Sequence, residues 1–161
     1  HGYADFVKDI LIRRINELRL YAYEFKGYWR PLSTIQLYYR ANMELLDPAV
    51  RYELFLKNGK IFTKVKDEPP AKYNEEAIVK NTIVADGCII EGSVENSILF
   101  RGVNVRRGAV VRNSIIMQNA EVFENASLNN CILDKNVSIS FGKQLNGDRN
   151  WPLIVGKNVR V

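Results

Sequence analysis

Residues 96–133 read NSILFRGVNVRRGAVVRNSIIMQNAEVFENASLNNCIL, and one short pattern returns within this stretch. Asn followed by Ser or Cys and then by two aliphatic residues begins at Asn96, Asn113 and Asn130, and an earlier copy with Thr begins at Asn81. The spacings between the copies are 15, 17 and 17 residues. Self-similarity at a nearly fixed period is the signature of a repeat fold, so this stretch decides the architecture.

A finer repeat of about six residues lies inside each period, where a small residue is followed two positions later by an aliphatic one. Ala109 with Val111, and Ala126 with Leu128, are examples. Each period therefore accommodates three short strands, which is the hexapeptide pattern of a parallel β-helix. We expect about four coils over residues 78–141.

The alternation of side chains along these strands separates an inner from an outer surface. Leu99, Ile116 and Leu133 fall at inward positions and are expected to stack in successive coils. The residues that precede them, together with two larger flanking side chains, form an outward apolar ladder: Ile83, Ile98, Ile115, Ile132, Phe100 and Met117. Because such a face is unfavourable in water, we expect it to be covered, either by the N-terminal segment of this chain or by a subunit or domain interface.

The residues before the repeats carry helical signals. Apolar residues at helical spacing predict a helix over residues 4–17, and residues 18–25 are expected to be extended. Ser33 is a suitable N-cap with Gln36 three positions later, and it predicts a second helix that ends near Leu46.

Asp47-Pro48 is expected to end this helix and to begin a connector that reaches residue 77. Within the connector, Asn58-Gly59 predicts a turn and residues 61–65 predict a short strand. The predicted division is therefore residues 1–47 as the first domain, 48–77 as the linker and 78–161 as the β-helix domain.

Composition excludes several classes of protein. The 161 residues are 47% apolar with a net charge of +5, and they contain no apolar run of the length that spans a membrane. The lone histidine, His1, argues against histidine-based triads, zinc sites and hexapeptide acyltransferases with a histidine base. The two cysteines, Cys88 and Cys131, occupy small inward positions and fit a reducing cytoplasm, because no signal peptide is visible. No block of basic residues suggests a nucleic-acid or membrane partner.

Basic residues provide the candidates for anion binding. Arg106, Arg107 and Arg112 lie on the predicted exterior of the coils, and Arg149 lies near the C-terminus. These arginines are expected either to bind an anion or simply to form a solvated surface. The carboxylates are scattered and form no spaced pair that would indicate a general acid and base.

Several motifs resemble bacterial glucose-1-phosphate adenylyltransferases, the ADP-glucose pyrophosphorylases. The motifs that carry this resemblance are residues 5–10, 23–25, Gly27-Tyr28-Trp29-Arg30, residues 41–46, Pro69-Pro70-Ala71-Lys72 and residues 131–136. The resemblance implies that a helical remnant of an α/β nucleotidyltransferase domain precedes a left-handed parallel β-helix. It also implies that Tyr28, Trp29 and Arg30 belong to a substrate-binding motif, and that the greater part of the catalytic domain is missing from this stretch.

One departure from the family motif changes the expected function. The family sequence Gly-Tyr-Trp-x-Asp-Val-Gly-Thr supplies an Asp to the catalytic magnesium, whereas Pro31 stands at that position here. Proline has no side-chain oxygen for a hard divalent cation. The pattern therefore resembles the regulatory GlgD type of subunit, and we expect no catalytic residue and no cofactor in this chain. Magnesium is expected only in a catalytic partner.

The resemblance implies a catalytic ADP-glucose pyrophosphorylase subunit, a second copy of this chain, or both, as partners. Family effector sites use arginines near the coil of Cys131, where this chain has Asn129 and Asn130. Two other functions stay open from the sequence. One is an active glucose-1-phosphate adenylyltransferase in the full-length protein, and the other is a stand-alone β-helix interaction module.

Overall fold

A computed structural model describes residues 5–57, 59, 61–63 and 65–161. The C-terminal part is a parallel solenoid built from three five-stranded sheets. Its strands are β1 (Lys72–Tyr73), β2 (Ile78–Lys80), β3 (Ile83–Val84), β4 (Ile89–Ile90), β5 (Ser93–Glu95), β6 (Ile98–Leu99), β7 (Asn104–Val105), β8 (Val110–Arg112), β9 (Ile115–Ile116), β10 (Glu121–Val122), β11 (Ser127–Asn129), β12 (Cys131–Leu133), β13 (Ser138–Ile139), β14 (Gln144–Asn146) and β15 (Leu153–Val155). The predicted parallel β-helix is confirmed.

Each sheet takes every third strand of the chain, as a three-sided coil requires. The strand orders are β1-β4-β7-β10-β13, β14-β11-β8-β5-β2 and β15-β12-β9-β6-β3, and all neighbouring strands are parallel. β1 lies within the predicted linker, yet Lys72 and Tyr73 pair with Ile89 and Ile90 of β4. The solenoid pairing therefore begins before residue 78.

The core of the solenoid follows the predicted alternation. Leu99 is in register with Ile116, and Ile116 with Leu133, so the three side chains stack in line. Leu99, Ile116 and Leu133 are all fully buried. Small side chains at the predicted inner corners, including Ala109 and Ala126, are fully buried as well. The hydrophobic effect thus acts along the axis of the solenoid, coil upon coil.

Asparagine residues form many of the corners. Asn81, Asn96, Asn113 and Asn130, the first residues of the four repeated tetrads, have φ angles between 44° and 52°. This left-handed backbone conformation is unfavourable for most residues, but Asn tolerates it. The repeated Asn is therefore a consequence of the turn that each coil makes at the same corner.

The helical segments differ from the predictions at their ends. Phe6–Ile12 forms a π-helical segment, and residues 13–17 of the predicted first helix are a turn instead. Helix α1 (Ile35–Glu44) has Thr34 as its N-cap, because the Thr34 side chain accepts a hydrogen bond from the Leu37 amide. The predicted Ser33 cap was wrong by one position, and α1 ends before the predicted Leu46.

The beginning of the predicted connector is helical. Asp47 follows α1 and also caps the next helix, α2 (Pro48–Tyr52), because its side chain accepts a hydrogen bond from the Ala49 amide. Pro48 stands at the first position of α2, where proline is favourable. A further π-helical segment spans Glu53–Lys57. Residues 61–63 and 65 are not in a strand, so the prediction of a strand there was wrong. Asn58 of the predicted turn lies outside the described residues.

Candidate functional site

Helix α1 covers the middle of the outward apolar ladder. Tyr39 of α1 packs with Ile115 and Ile132 in a buried cluster that also takes in Tyr38, Met43, Phe100 and Met117 as partly buried members. The N-terminal segment of the same chain is thus the element that covers these positions. Ile98 is also buried, with 6% of its surface exposed.

The two ends of the ladder are less protected. Ile83, at the first coil, is only half-buried. Ile154 pairs in register with Ile132 and continues the ladder at the last coil, but it is 49% exposed. The sequence analysis missed Ile154, because the insertion at residues 147–151 lengthens the spacing between it and Ile132 and hides the repeat. We expected burial of all four predicted isoleucines, and for Ile83 this was only partly right.

A cleft of about 840 Å³ lies between α1 and the β-helix. Its lining residues come from the helix, from two corners of the coils and from the last loop: Tyr39, Arg40, Met43, Glu44, Asn113, Asn130, Arg149 and Asn150. The Tyr39 hydroxyl donates to the main-chain oxygen of Asn113 at 2.5 Å, and Asn130 Oδ1 is a second acceptor at 3.3 Å. Burial raises the pKa of Tyr39 above its ordinary value of 10.0, so this hydroxyl keeps its proton to a higher pH than an exposed tyrosine does.

The predicted substrate-binding motif is tied to the helices that follow it. The Tyr28 hydroxyl donates to Glu44 Oε2 at 2.8 Å, and the Tyr28 amide donates to Glu53 Oε1 at 2.8 Å. Arg30 Nε donates to both oxygens of Glu44, at 2.8 and 3.2 Å, and its guanidinium lies 4.9 Å from the centre of the Tyr28 ring. Trp29, between them, is largely exposed.

Burial, followed by the hydrogen bond and the negative charge of Glu44, raises the pKa of Tyr28 to about 12. A single carboxylate thus holds both Tyr28 and Arg30. An apolar groove of about 440 Å³ runs beside them and is lined in part by Trp29 and Leu32.

The three coil arginines that were candidates for anion binding each face a carboxylate. Arg106 pairs with Glu121 at 2.5 Å, Arg107 with Glu76 at 3.4 Å, and Arg112 with Glu95 at 3.6 Å. These pairs place opposite charges together on the surface of the solenoid. The fourth candidate, Arg149, is instead part of the cleft, and its charge only slightly opposes the rise in the pKa of Tyr39 that burial causes.

The described residues do not fit the magnesium that the family uses. Pro31 offers no side-chain oxygen, and the nearby carboxylate of Glu44 is bound by Tyr28 and Arg30. Among the residues that the structure describes, no three His, Cys, Asp or Glu side chains are grouped as a metal would require.

Both cysteines are buried thiols, and burial raises the pKa of each. A raised pKa keeps the thiol protonated and unreactive, as expected for structural rather than nucleophilic cysteines. No helix in the described ranges is long and apolar enough to cross a bilayer.

The solenoid is similar to a known family of repeat proteins. Residues 69–151 match the family described as GlmU-like, C-terminal hexapeptide, and the chain belongs to this family. The match covers most of the solenoid, whose repeat and three-sided coils are the features of a hexapeptide protein.

The chain is also similar to glycogen-biosynthesis proteins, over more than the solenoid. It is 43% identical over 153 residues to the glycogen biosynthesis protein GlgD of Bacillus subtilis (strain 168), a match that covers 95% of this chain and 45% of that protein. It is 58% identical over 71 residues to GlgD of Geobacillus stearothermophilus, covering 44% of this chain and 21% of the relative.

Glucose-1-phosphate adenylyltransferase of Thermosipho melanesiensis is 41% identical over 107 residues, 66% of this chain and 26% of that enzyme. The chain thus spans less than half the length of each of these relatives. The resemblance to the adenylyltransferase family and its GlgD type is confirmed.

Proposed function

We propose that this chain is the C-terminal assembly and regulatory part of a GlgD-type subunit of ADP-glucose pyrophosphorylase, and that it acts in glycogen biosynthesis without forming ADP-glucose itself. The observation that carries the proposal is Pro31, which stands at the position of the magnesium ligand within an otherwise similar motif. Metal-assisted nucleotidyl transfer requires an oxygen ligand that proline cannot supply.

The contacts of the motif support the same conclusion. A substrate loop must offer its polar groups to the ligand, but Glu44 already engages the Tyr28 hydroxyl and the Arg30 guanidinium. The part-buried bond from Tyr28 is charge-assisted, and it attaches the loop to the end of α1. The similarity to GlgD over nearly the whole chain adds a second line of support.

The activity assay uses the full-length parent protein, free of a catalytic subunit and then mixed with one. Alone, it is expected to turn over ATP and glucose 1-phosphate far more slowly than the roughly 10 s⁻¹ of a typical enzyme. Turnover near that value in the absence of a partner would refute the proposal. The substitution Pro31→Asp restores a carboxylate, and Pro31→Ala is its matched control, so a metal-dependent gain confined to the first would identify the missing ligand.

The partner is proposed to be the catalytic subunit, a second copy of this chain, or both. The exposed rung Ile154 supports a contact beyond the part of the ladder that α1 covers, because it continues an apolar surface that is buried elsewhere. Co-purification and sedimentation of an Ile154→Glu variant test this, with Ile89→Glu on another sheet as the control. Unchanged association of the Ile154 variant would exclude that rung from the contact.

Of the candidate arginines, Arg149 is the one we infer to meet an anion, since the other three pair with carboxylates. Arg40 also lines this cleft. Titration with inorganic phosphate should show weaker binding for Arg149→Ala than for Arg107→Ala. Equal binding by the two variants would remove Arg149 from the site.

A cytoplasmic location agrees with the two free thiols.

A further inference from the structure

We propose that two hydrogen bonds from successive residues of α1 form a clasp that sets the position of this helix on the β-helix. The inner bond joins Tyr39 to Asn113, and the outer bond joins Arg40 to Asn150. The inner bond is a fixed pivot, and the outer bond is a releasable contact. Together they bind one helix to two separate parts of the solenoid, a coil corner and the last loop.

The inner bond is the firmer of the two because its donor is buried and its acceptor is partly buried. Tyr39 is 4% exposed and packs between Ile115 and Ile132. Its acceptor is the main-chain oxygen of Asn113, at a corner where the backbone is left-handed. Removal of the hydroxyl would leave this part-buried oxygen without its protein donor, which is more unfavourable than loss of an exposed bond.

The outer bond is releasable because both partners are exposed. Arg40 Nη2 donates to Asn150 Oδ1 at 2.9 Å, and water competes for both groups. The loop that presents Asn150, residues 147–151, is nevertheless rigid. Asp148 and Trp151 exchange two main-chain hydrogen bonds of 3.0 and 3.1 Å, and the Asn150 amide donates to Asp148 Oδ1 at 2.7 Å.

The base of this loop is fixed to the coil as well. The Gly147 amide donates to the Asn129 oxygen at 2.9 Å, and a Cβ at residue 147 would come within 2.3 Å of the Asn130 oxygen. Glycine is therefore required for this close approach, and the bond from the Gly147 amide attaches the base of the loop to the coil. When the outer bond opens, the element that moves is α1.

Movement of α1 has a direct consequence for the Tyr28–Arg30 loop. Glu44 lies at the end of α1 and holds both Tyr28 and Arg30, so a displacement of the helix carries this loop with it. Glu44 also lines the cleft between α1 and the β-helix. The clasp therefore links the state of the last coil to the geometry of the former substrate motif.

The test measures hydrogen exchange of the α1 amides in the 161-residue chain, with the strand amides as an internal reference. Asn150→Ala and Arg40→Ala are each expected to accelerate exchange in Ile35–Glu44 by about 2- to 10-fold, as loss of one exposed hydrogen bond predicts. Tyr39→Phe keeps the ring and removes the donor, and it should accelerate exchange by more than either. The strand amides should be unchanged in all three variants.

Two comparisons make the clasp falsifiable. The double variant Arg40→Ala/Asn150→Ala should exchange no faster than the single variants, since both changes break one contact. Asn158→Ala is the matched control. It removes the side-chain hydrogen bond that Asn136 donates to Asn158 at a different corner of the solenoid, and it should leave exchange in α1 unaffected. Unchanged exchange in both single variants, or fully additive effects, would overturn the proposal. If Asn150→Ala also accelerates exchange of the strand amides, the solenoid itself is perturbed. Arg40→Ala, which changes only the residue on α1, then decides the outcome.

Discussion

Replacement of Ile116 by Ala should destabilise the β-helix by about 2–5 kcal/mol. Ile116 is fully buried, with Leu99 and Leu133 directly in register on either side. The change removes three carbon atoms, and at about 0.8 kcal/mol for each buried group the transfer term alone is about 2.4 kcal/mol. The cavity adds to this loss, because main-chain bonds such as that from the Phe100 amide to the Ile116 oxygen, 2.9 Å, keep the coils at a fixed separation.

Urea denaturation followed by circular dichroism measures this difference as a change in the free energy of unfolding. Ile154→Ala is the matched control on the same sheet. Its side chain faces outward and is 49% exposed, so its loss should be about 1 kcal/mol or less. A loss below about 0.5 kcal/mol for Ile116→Ala, as at ordinary surface positions, would mean that the assignment of inward and outward side chains is wrong.

Three further predictions concern single groups. Glu44→Gln should lower the pKa of Tyr28 from about 12 towards its ordinary 10.0, as ultraviolet titration against a Tyr28→Phe reference would show. Because folding raises this pKa, the contribution of protonated Tyr28 to the free energy of unfolding is complete below pH 10.0 and is lost as the pH rises to about 12. Cys88 and Cys131 should not react with a thiol reagent in the native protein, and both should react in urea. Rapid labelling of the native protein would contradict their burial. Gly108→Ala should lower the unfolding free energy by about 1–3 kcal/mol, since its φ of +72° is unfavourable for alanine and its Cβ would come within 2.3 Å of the side-chain oxygen of Asn125, which must rotate away. Gly142→Ala, with φ +66° and open space around its Cβ, should lose less by the cost of that rotation, and a larger loss at Gly142 would contradict this reasoning.

The ends of the helices illustrate the limits of local signals. Ser33 and Thr34 are both competent caps, and only the folded backbone places the Thr34 side chain at the Leu37 amide. Asp47-Pro48 was interpreted as the end of a helix, but Asp at the cap and Pro at the first position are equally the beginning of one. The two signals are identical in sequence, and the direction of the following chain decides between them.

The candidate site divides in a similar way. The motif around Tyr28, with Pro31 where the similar family motif has an Asp, is visible in the sequence, because its members occupy consecutive positions. The role of Glu44 is not visible, since its partners lie 14 and 16 residues away in a segment without periodicity. The pairing of Arg106, Arg107 and Arg112 with carboxylates also depends on which coils become neighbours.

The sequence by itself determined the solenoid, its inward stack and the apolar ladder, because in a repeat fold each coil contacts only its neighbours and every contact recurs at the same period. Only the tertiary structure decided what lies on the ladder. Tyr39 donates to a main-chain oxygen 74 residues away, and Arg40 donates to a side-chain oxygen 110 residues away. Such contacts occur once, leave no periodic trace, and depend on how a separate helix docks on the finished surface.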